Sequence, residues 1–336
     1  MVCVVKREMR FYTVPFDSMI ALIMTVYNEE NVLPEWVKSF CQQTLAPDEV
    51  VIVDGGSTDG TWAYLQSLVK TGVIKNLKIF QFKSNIAAGR NYAINQSQAD
   101  IIVATDAGCT YAPNWFESLI SPIKKGAKFS TTAFGPWFIK HDSWLVRAIA
   151  ACTIPISAEF ASDWWPSSRS VAFLREIWQN VGGYPEWIPF CEDVIFDRAI
   201  KAQGVEFFFV RTPLVFWRPR LTLFAYLRQV FNYTRSEGQA RLNLKRHILR
   251  ILVYALILSA GFWGGWFNLI WVLWFSYAVR YLRRGWNFRE SILASPFSFI
   301  LILYILFFGD GAKIIGGAVG MFESAWSKIK TQKNNL

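Results

Sequence analysis

Three carboxylates stand just past short apolar runs in this chain. Ile20–Val26 leads into Tyr27-Asn28-Glu29, Val50–Val53 into Asp54, and Ile101–Thr105 into Asp106. Acidic side chains so placed suit hydrogen bonding to a polar ligand that carries a cation. Further along, Cys191-Glu192-Asp193 follows a Gly182-Gly183-Tyr184 turn and opens a stretch with Phe196, Ala199 and Ile200 on one helical face. A carboxylate there can act as a general base if an acceptor is held within hydrogen-bond reach, about 3 Å. The plainer reading is charge at a helix N-terminus, which the helix dipole favours. Arg90, between Gly89 and Asn91, offers the planar guanidinium that binds phosphate or carboxylate through two hydrogen bonds. A solvated surface arginine is the other reading of it.

The elements that must position these groups follow from the pattern. Continuous apolar runs closed by turn residues read as fully buried strands. Asn85–Gln98 reads as a helix starting near a strand end. In an open α/β sheet, ligands sit outside the carboxyl ends of the strands. Tyr27, Glu29, Asp54 and Asp106 are therefore expected along one edge. Asp54 also suits a turn, and Asp59-Gly60 reads as turn chemistry alone.

The 336 residues suffice for one sizeable core plus an appendage. They are 53% hydrophobic, with 16 Trp and 28 Phe, and the excess lies late in the chain. Ile251–Val279 and Ser291–Phe308 carry no charged side chain. Apolar runs of about 18 or more residues read as membrane segments. The first run has basic residues at both ends, which predicts a hairpin turning near Gly261, Gly264 and Gly265. The 291–322 region would add one or two spans, with Asp310 and Lys313 at a boundary or turn. The net charge of +10 clusters beside these runs, which favours a membrane surface and argues against nucleic acid. Five scattered cysteines without a CxxC suggest neither a zinc site nor a disulfide framework. Met1–Arg10 is too short in apolar residues for a signal peptide. His141 and His247 belong to no motif.

The order of motifs resembles the inverting glycosyltransferases of family 2, which have a GT-A fold. The pieces are TVYNEE at 25–30, VDGGSTDGT at 53–61, AAGRN at 87–91, TDAGC at 105–109 and SSRSVAF…VGGYPEW…CEDVIFD at 167–197. The resemblance covers roughly residues 19–240. It implies a Rossmann-like, mostly parallel open sheet flanked by helices, followed by a helical membrane region. It implies a nucleotide-sugar donor held by Tyr27, Glu29, Asp54, Arg90 and Asp106, with Asp54 at the nucleobase. Asp193 would be the base and Glu192 its support. Mg2+ or Mn2+ at Asp106 is the implied cofactor, but Gly108 stands where the family has a second aspartate, so Asp106 alone would be left for the cation or the ribose. Gln229-Val230-Phe231-Asn232-Tyr233 matches a family motif with Asn in place of its arginine. Gln229, Tyr233 and the flanking Arg235 are thus candidates for acceptor or phosphate. The same stretch also reads as an amphipathic interface helix.

The organisation expected is an extension (1–18), a catalytic domain (19–212), a basic interface region (213–250), transmembrane or re-entrant helices (251–322) and a basic tail (323–336). The expected function is transfer of a sugar to a hydroxyl or phosphate of a lipid-linked or saccharide acceptor. The protein would be multi-pass in the cell membrane, its catalytic domain on the cytoplasmic side. A degenerate, non-catalytic nucleotide-sugar-binding membrane protein is the alternative, with Gly108 its best support.

Overall fold

The computed structural model describes residues 18–155, 165–263, 269–287 and 297–334. The expected extension at 1–18 lies almost wholly outside them, as do Gly264 and Gly265 of the expected hairpin turn. The chain divides into two compact units.

The first unit comprises the chain up to Phe134, with 161–186 and 193–216. It opens with β1 (Ile20–Val26), α1 (Leu33–Phe40), β2 (Glu49–Asp54), α2 (Thr61–Thr71), β3 (Leu77–Gln81), α3 (Ile86–Asn95) and β4 (Ile101–Asp106). The apolar runs are strands for the reason their composition suggests: β1, β2 and β4 have side chains buried on both faces. Asn85 caps α3, its Oδ1 accepting from Ala88 N at 2.9 Å. A Cβ at Gly89 would meet Thr25 Cγ2 at 2.7 Å, so glycine is what lets α3 lie close against β1.

The remaining strands are β5 (Cys109–Tyr111), β6 (Phe129–Pro136), β7 (Ser170–Leu174) and β8 (Phe207–Trp217), with helices α4 (Trp115–Lys124), α6 (Arg175–Asn180) and α7 (Glu192–Ala202). Among the described residues eight strands form one sheet, in the order β3-β2-β1-β4-β7-β6-β8-β5. The sheet departs from the mostly parallel expectation. β3, β2, β1 and β4 are parallel, but β7 is antiparallel to β4, and β6 to β7. It is a mixed sheet. Strand order reverses between β1 and β4, and the crevice at such a switch point is where open α/β sheets bind ligands.

The second unit holds α5 (Trp144–Thr153), α8 (Leu223–Gln239), α9 (Leu244–Trp263), α10 (Leu269–Asn287) and α11 (Phe297–Asn334). Here the membrane expectation finds support in one helix only. Among the described residues one helical segment, Phe299–Ser327 of 29 residues, is long and apolar enough to cross a bilayer. The charge-free run 251–279 is helical in α9 up to Trp263 and in α10 from Leu269, and the hairpin turn expected between them does not fall wholly within the described residues. Nor do Asp310 and Lys313 mark a boundary. They lie inside the continuous α11, where Asp310 is fully buried. Its Oδ1 is 2.9 Å from Lys313 Nζ and 3.7 Å from Arg250 Nε, and its Oδ2 accepts from Tyr254 Oη at 3.0 Å. Paired charge can stay in an apolar helix, which is why the run does not break there.

Candidate active site

The strand ends bring the acidic groups together as the pattern implied. Asp54 ends β2, and Asp106 ends β4; Val26, the last residue of β1, is paired with Asp54, and Thr25 with Asp106. Tyr27 and Glu29 follow β1 directly. Tyr27 is 59% exposed. The backbone N–H of Glu29 donates to Thr61 Oγ1 at 2.8 Å, which ties the first loop to the start of α2.

Asp54 is fully buried. Its Oδ1 accepts from Ser57 N at 3.0 Å and Ser57 Oγ at 2.5 Å, and its Oδ2 from Gln81 Nε2 at 3.2 Å. The carboxylate therefore builds the turn after β2. Ser57 and Gln81 were not among the expected site residues, although the Asp-x-x-Ser spacing is an Asx-type turn signal.

Arg90 is not a surface side chain. It is 2% exposed, and its Nη2 donates to Asp106 Oδ1 at 2.7 Å. Its guanidinium also lies 5.4 Å from the centre of the Tyr184 ring. Tyr184 is buried against Phe196 of α7 with ring centres 4.0 Å apart, and its hydroxyl lies 3.0 Å from Ser168 Oγ. Burial raises the Tyr184 phenol above its ordinary range, so it stays a neutral hydrogen-bonding group.

A second arginine, absent from the sequence expectation, joins the cluster. Arg169 sits in the loop entering β7, with Nε 3.9 Å from Asp106 Oδ2 and its guanidinium 4.8 Å from the Phe134 ring centre. Its carbonyl accepts from Thr105 Oγ1 at 3.0 Å, which pins this loop to the end of β4. The same loop carries Ser167, whose Oγ donates to Asp193 Oδ2 at 3.4 Å. Asp193 Oδ1 accepts from Val194 N at 2.9 Å at the start of α7. Asp193 is half-buried, and Glu192, the first residue of α7, is 5% exposed.

The family motif around Gln229 belongs to the second unit. Gln229 Nε2 donates to Tyr233 Oη at 3.1 Å within α8. The Tyr233 carbonyl accepts from Cys191 Sγ at 3.5 Å. Arg235 forms a two-pronged pair with Glu323 of α11, Nη2–Oε1 2.6 Å and Nε–Oε2 2.9 Å.

The donor set around Asp106 does not fit a cation held by the protein's own ligands. Its two carboxylate oxygens face two guanidinium groups, and position 108 offers no side chain. Among the described residues no three His, Cys, Asp or Glu side chains gather closely enough to hold a metal.

Residues 21–167 match the family model described as glycosyl transferase family 2. Over 199 residues the chain is 23% identical to the O-antigen chain rhamnosyltransferase RfbN of Salmonella typhimurium, across 55% of this chain and 62% of that protein. The chain thus spans less than two thirds of that relative's length. Over 266 residues it is 29% identical to the glycosyltransferase AglE of Haloferax volcanii, across 74% of this chain and 82% of the relative. Among solved structures, the mannosyltransferase PcManGT from Pyrobaculum calidifontis, in complex with GDP-Man and Mn2+, has a TM-score of 0.55 at 18% identity, covering 87% of this chain and 88% of that one. At that identity the likeness is one of fold. The mixed sheet with its acidic edge resembles the fold of that mannosyltransferase, and residues 21–167 are similar to glycosyl transferase family 2 domains.

Proposed function

We propose that the protein is an inverting glycosyltransferase that moves a sugar from a nucleotide-sugar donor to a lipid-linked acceptor in polysaccharide or glycolipid synthesis. The observation that carries this reading is the run of contacts from Asp106 through Arg169 and Ser167 to Asp193 at one sheet edge, which begins within the residues that match the family 2 model and continues past them. Tyr27, Glu29 and Asp54 hold the nucleoside, and Arg90 fixes the Asp106 carboxylate beside the donor ribose or diphosphate. The acceptor hydroxyl attacks the anomeric carbon while Asp193 takes its proton. The bond from that carbon to the diphosphate oxygen breaks, and the electron pair leaves with the nucleoside diphosphate. A single displacement inverts the anomeric configuration. Ser167 and the Val194 N–H aim the Asp193 carboxylate, and Glu192 supports it. The apolar segment Phe299–Ser327 supports a membrane-bound protein, and the basic residues beside the apolar runs support a cytoplasmic position for the first unit.

Asp193→Asn tests the assignment. The amide oxygen keeps the Val194 bond, so packing survives while the proton acceptor is lost. Turnover should fall about 10²–10⁴-fold with nucleoside diphosphate affinity unchanged. Near-parental turnover would place the base elsewhere. A parent that binds a nucleotide-sugar but never turns it over, with any acceptor, would favour the non-catalytic reading.

A further inference from the structure

We infer that the Arg169 guanidinium binds the donor diphosphate beside the space at Gly108, and that this binding needs no divalent cation. The inference rests on the nucleotide-sugar reading above and names how that site holds its most charged part.

Three observations carry it. First, both carboxylate oxygens of Asp106 already face arginine side chains. Arg90 lies 2.7 Å from one carboxylate oxygen and Arg169 Nε 3.9 Å from the other. With both oxygens facing guanidinium groups, Asp106 has little left to offer a cation, while the guanidinium of Arg169 is chemically suited to a diphosphate. Second, position 108 is open rather than crowded. A Cβ built there meets nothing within 4 Å. The second carboxylate is missing by sequence alone, and the space it would fill is available to a phosphate. Third, Arg169 is held in place before any ligand arrives. Its carbonyl is bonded to Thr105, its guanidinium rests on Phe134, and its side chain is only 13% exposed. A pre-set guanidinium loses little freedom on binding and matches phosphate oxygens two at a time. A lysine on a flexible stem does not reproduce this.

The experiment is calorimetric titration of the detergent-solubilised full chain with UDP, GDP, dTDP and CDP, in excess EDTA and again with Mn2+. The parent should bind at least one of these with the same affinity, within about twofold, in both conditions. Arg169→Ala should lower that affinity about 10–100-fold, the range for losing charge-assisted hydrogen bonds. Arg169→Lys should recover only part of it. Gly108→Asp should weaken binding in EDTA and regain it with Mn2+, because a second carboxylate then creates the cation site that the parent lacks. Thermal unfolding checks that each variant is folded. The Gly108 variant stands on open space, so it reports even if Arg169→Ala does not fold. Parental affinity that collapses in EDTA, or a folded Arg169→Ala that binds like the parent, would overturn the inference while leaving the transferase reading intact. A parent that binds none of the four in either condition would overturn both.

Discussion

Replacing Arg90 by Met probes the pair at the centre of the site. Met is unbranched, so it fills much of the same volume while removing the charge. Stripping one partner from a buried ion pair costs about 3–5 kcal/mol, mostly because the other charge is left without compensation. Asp106 is 28% exposed and has Arg169 nearby, so the lower end, about 3 kcal/mol, applies. For a unit of this size each kcal/mol shifts the unfolding midpoint by about 2–4 °C, giving a fall of about 6–12 °C. Tryptophan fluorescence on heating reads it. The sharper measurement is the same substitution in an Asp106→Asn background. There the carboxylate charge is already gone, so Arg90→Met should cost about 1–2 kcal/mol less. Equal shifts in both backgrounds would mean the arginine acts through its packing on Tyr184, and the clamp would have no energetic content.

Two further outcomes follow from the geometry. Asp54→Asn keeps an oxygen for the Ser57 N–H, so the turn should hold while nucleoside diphosphate affinity drops about tenfold or more; unchanged affinity in calorimetry reduces Asp54 to a turn residue. The protein should sediment with membranes and resist carbonate extraction through the Phe299–Ser327 segment, and protease added to sealed inverted vesicles should cleave the first unit; release by carbonate or full protection would refute the anchor or the orientation.

What was legible in the sequence was whatever a local pattern carries. β1, β2 and β4 fall where their apolar runs stand, because strands buried on both faces must be continuously apolar. The strand-end acids were visible for the same reason. Arg90 was visible as a helix residue, but whether it faced solvent or Asp106 depended on a contact across the sheet. Arg169 stands in the SSRSVAF stretch that carries part of the resemblance, but nothing local marks its role. It is one arginine between two serines, and its neighbours Thr105, Asp106 and Phe134 come from β4 and β6. Asp310 misled in the opposite direction. A lone acid in an apolar run looks like a boundary until Arg250 and Tyr254, from another helix, are seen to pair with it.

The antiparallel β7 explains why the site draws on residues so far from its motifs. In a parallel strand, the loop that leaves at the carboxyl end reaches the ligand crevice, and the loop that enters lies at the opposite edge. Reversing β7 reverses that assignment. Ser170, at its start, pairs with Thr105 near the end of β4. The loop entering β7 therefore lies where the loops leaving β1, β2 and β4 lie. That loop holds Ser167, Ser168 and Arg169, which meet Asp193, Tyr184 and Asp106 respectively. A fifth parallel strand in the same position would have sent these three residues to the far edge. The departure from a parallel sheet is thus the step that joins the strand-end carboxylates to the start of α7, and with it the proposed donor end of the site to the proposed base.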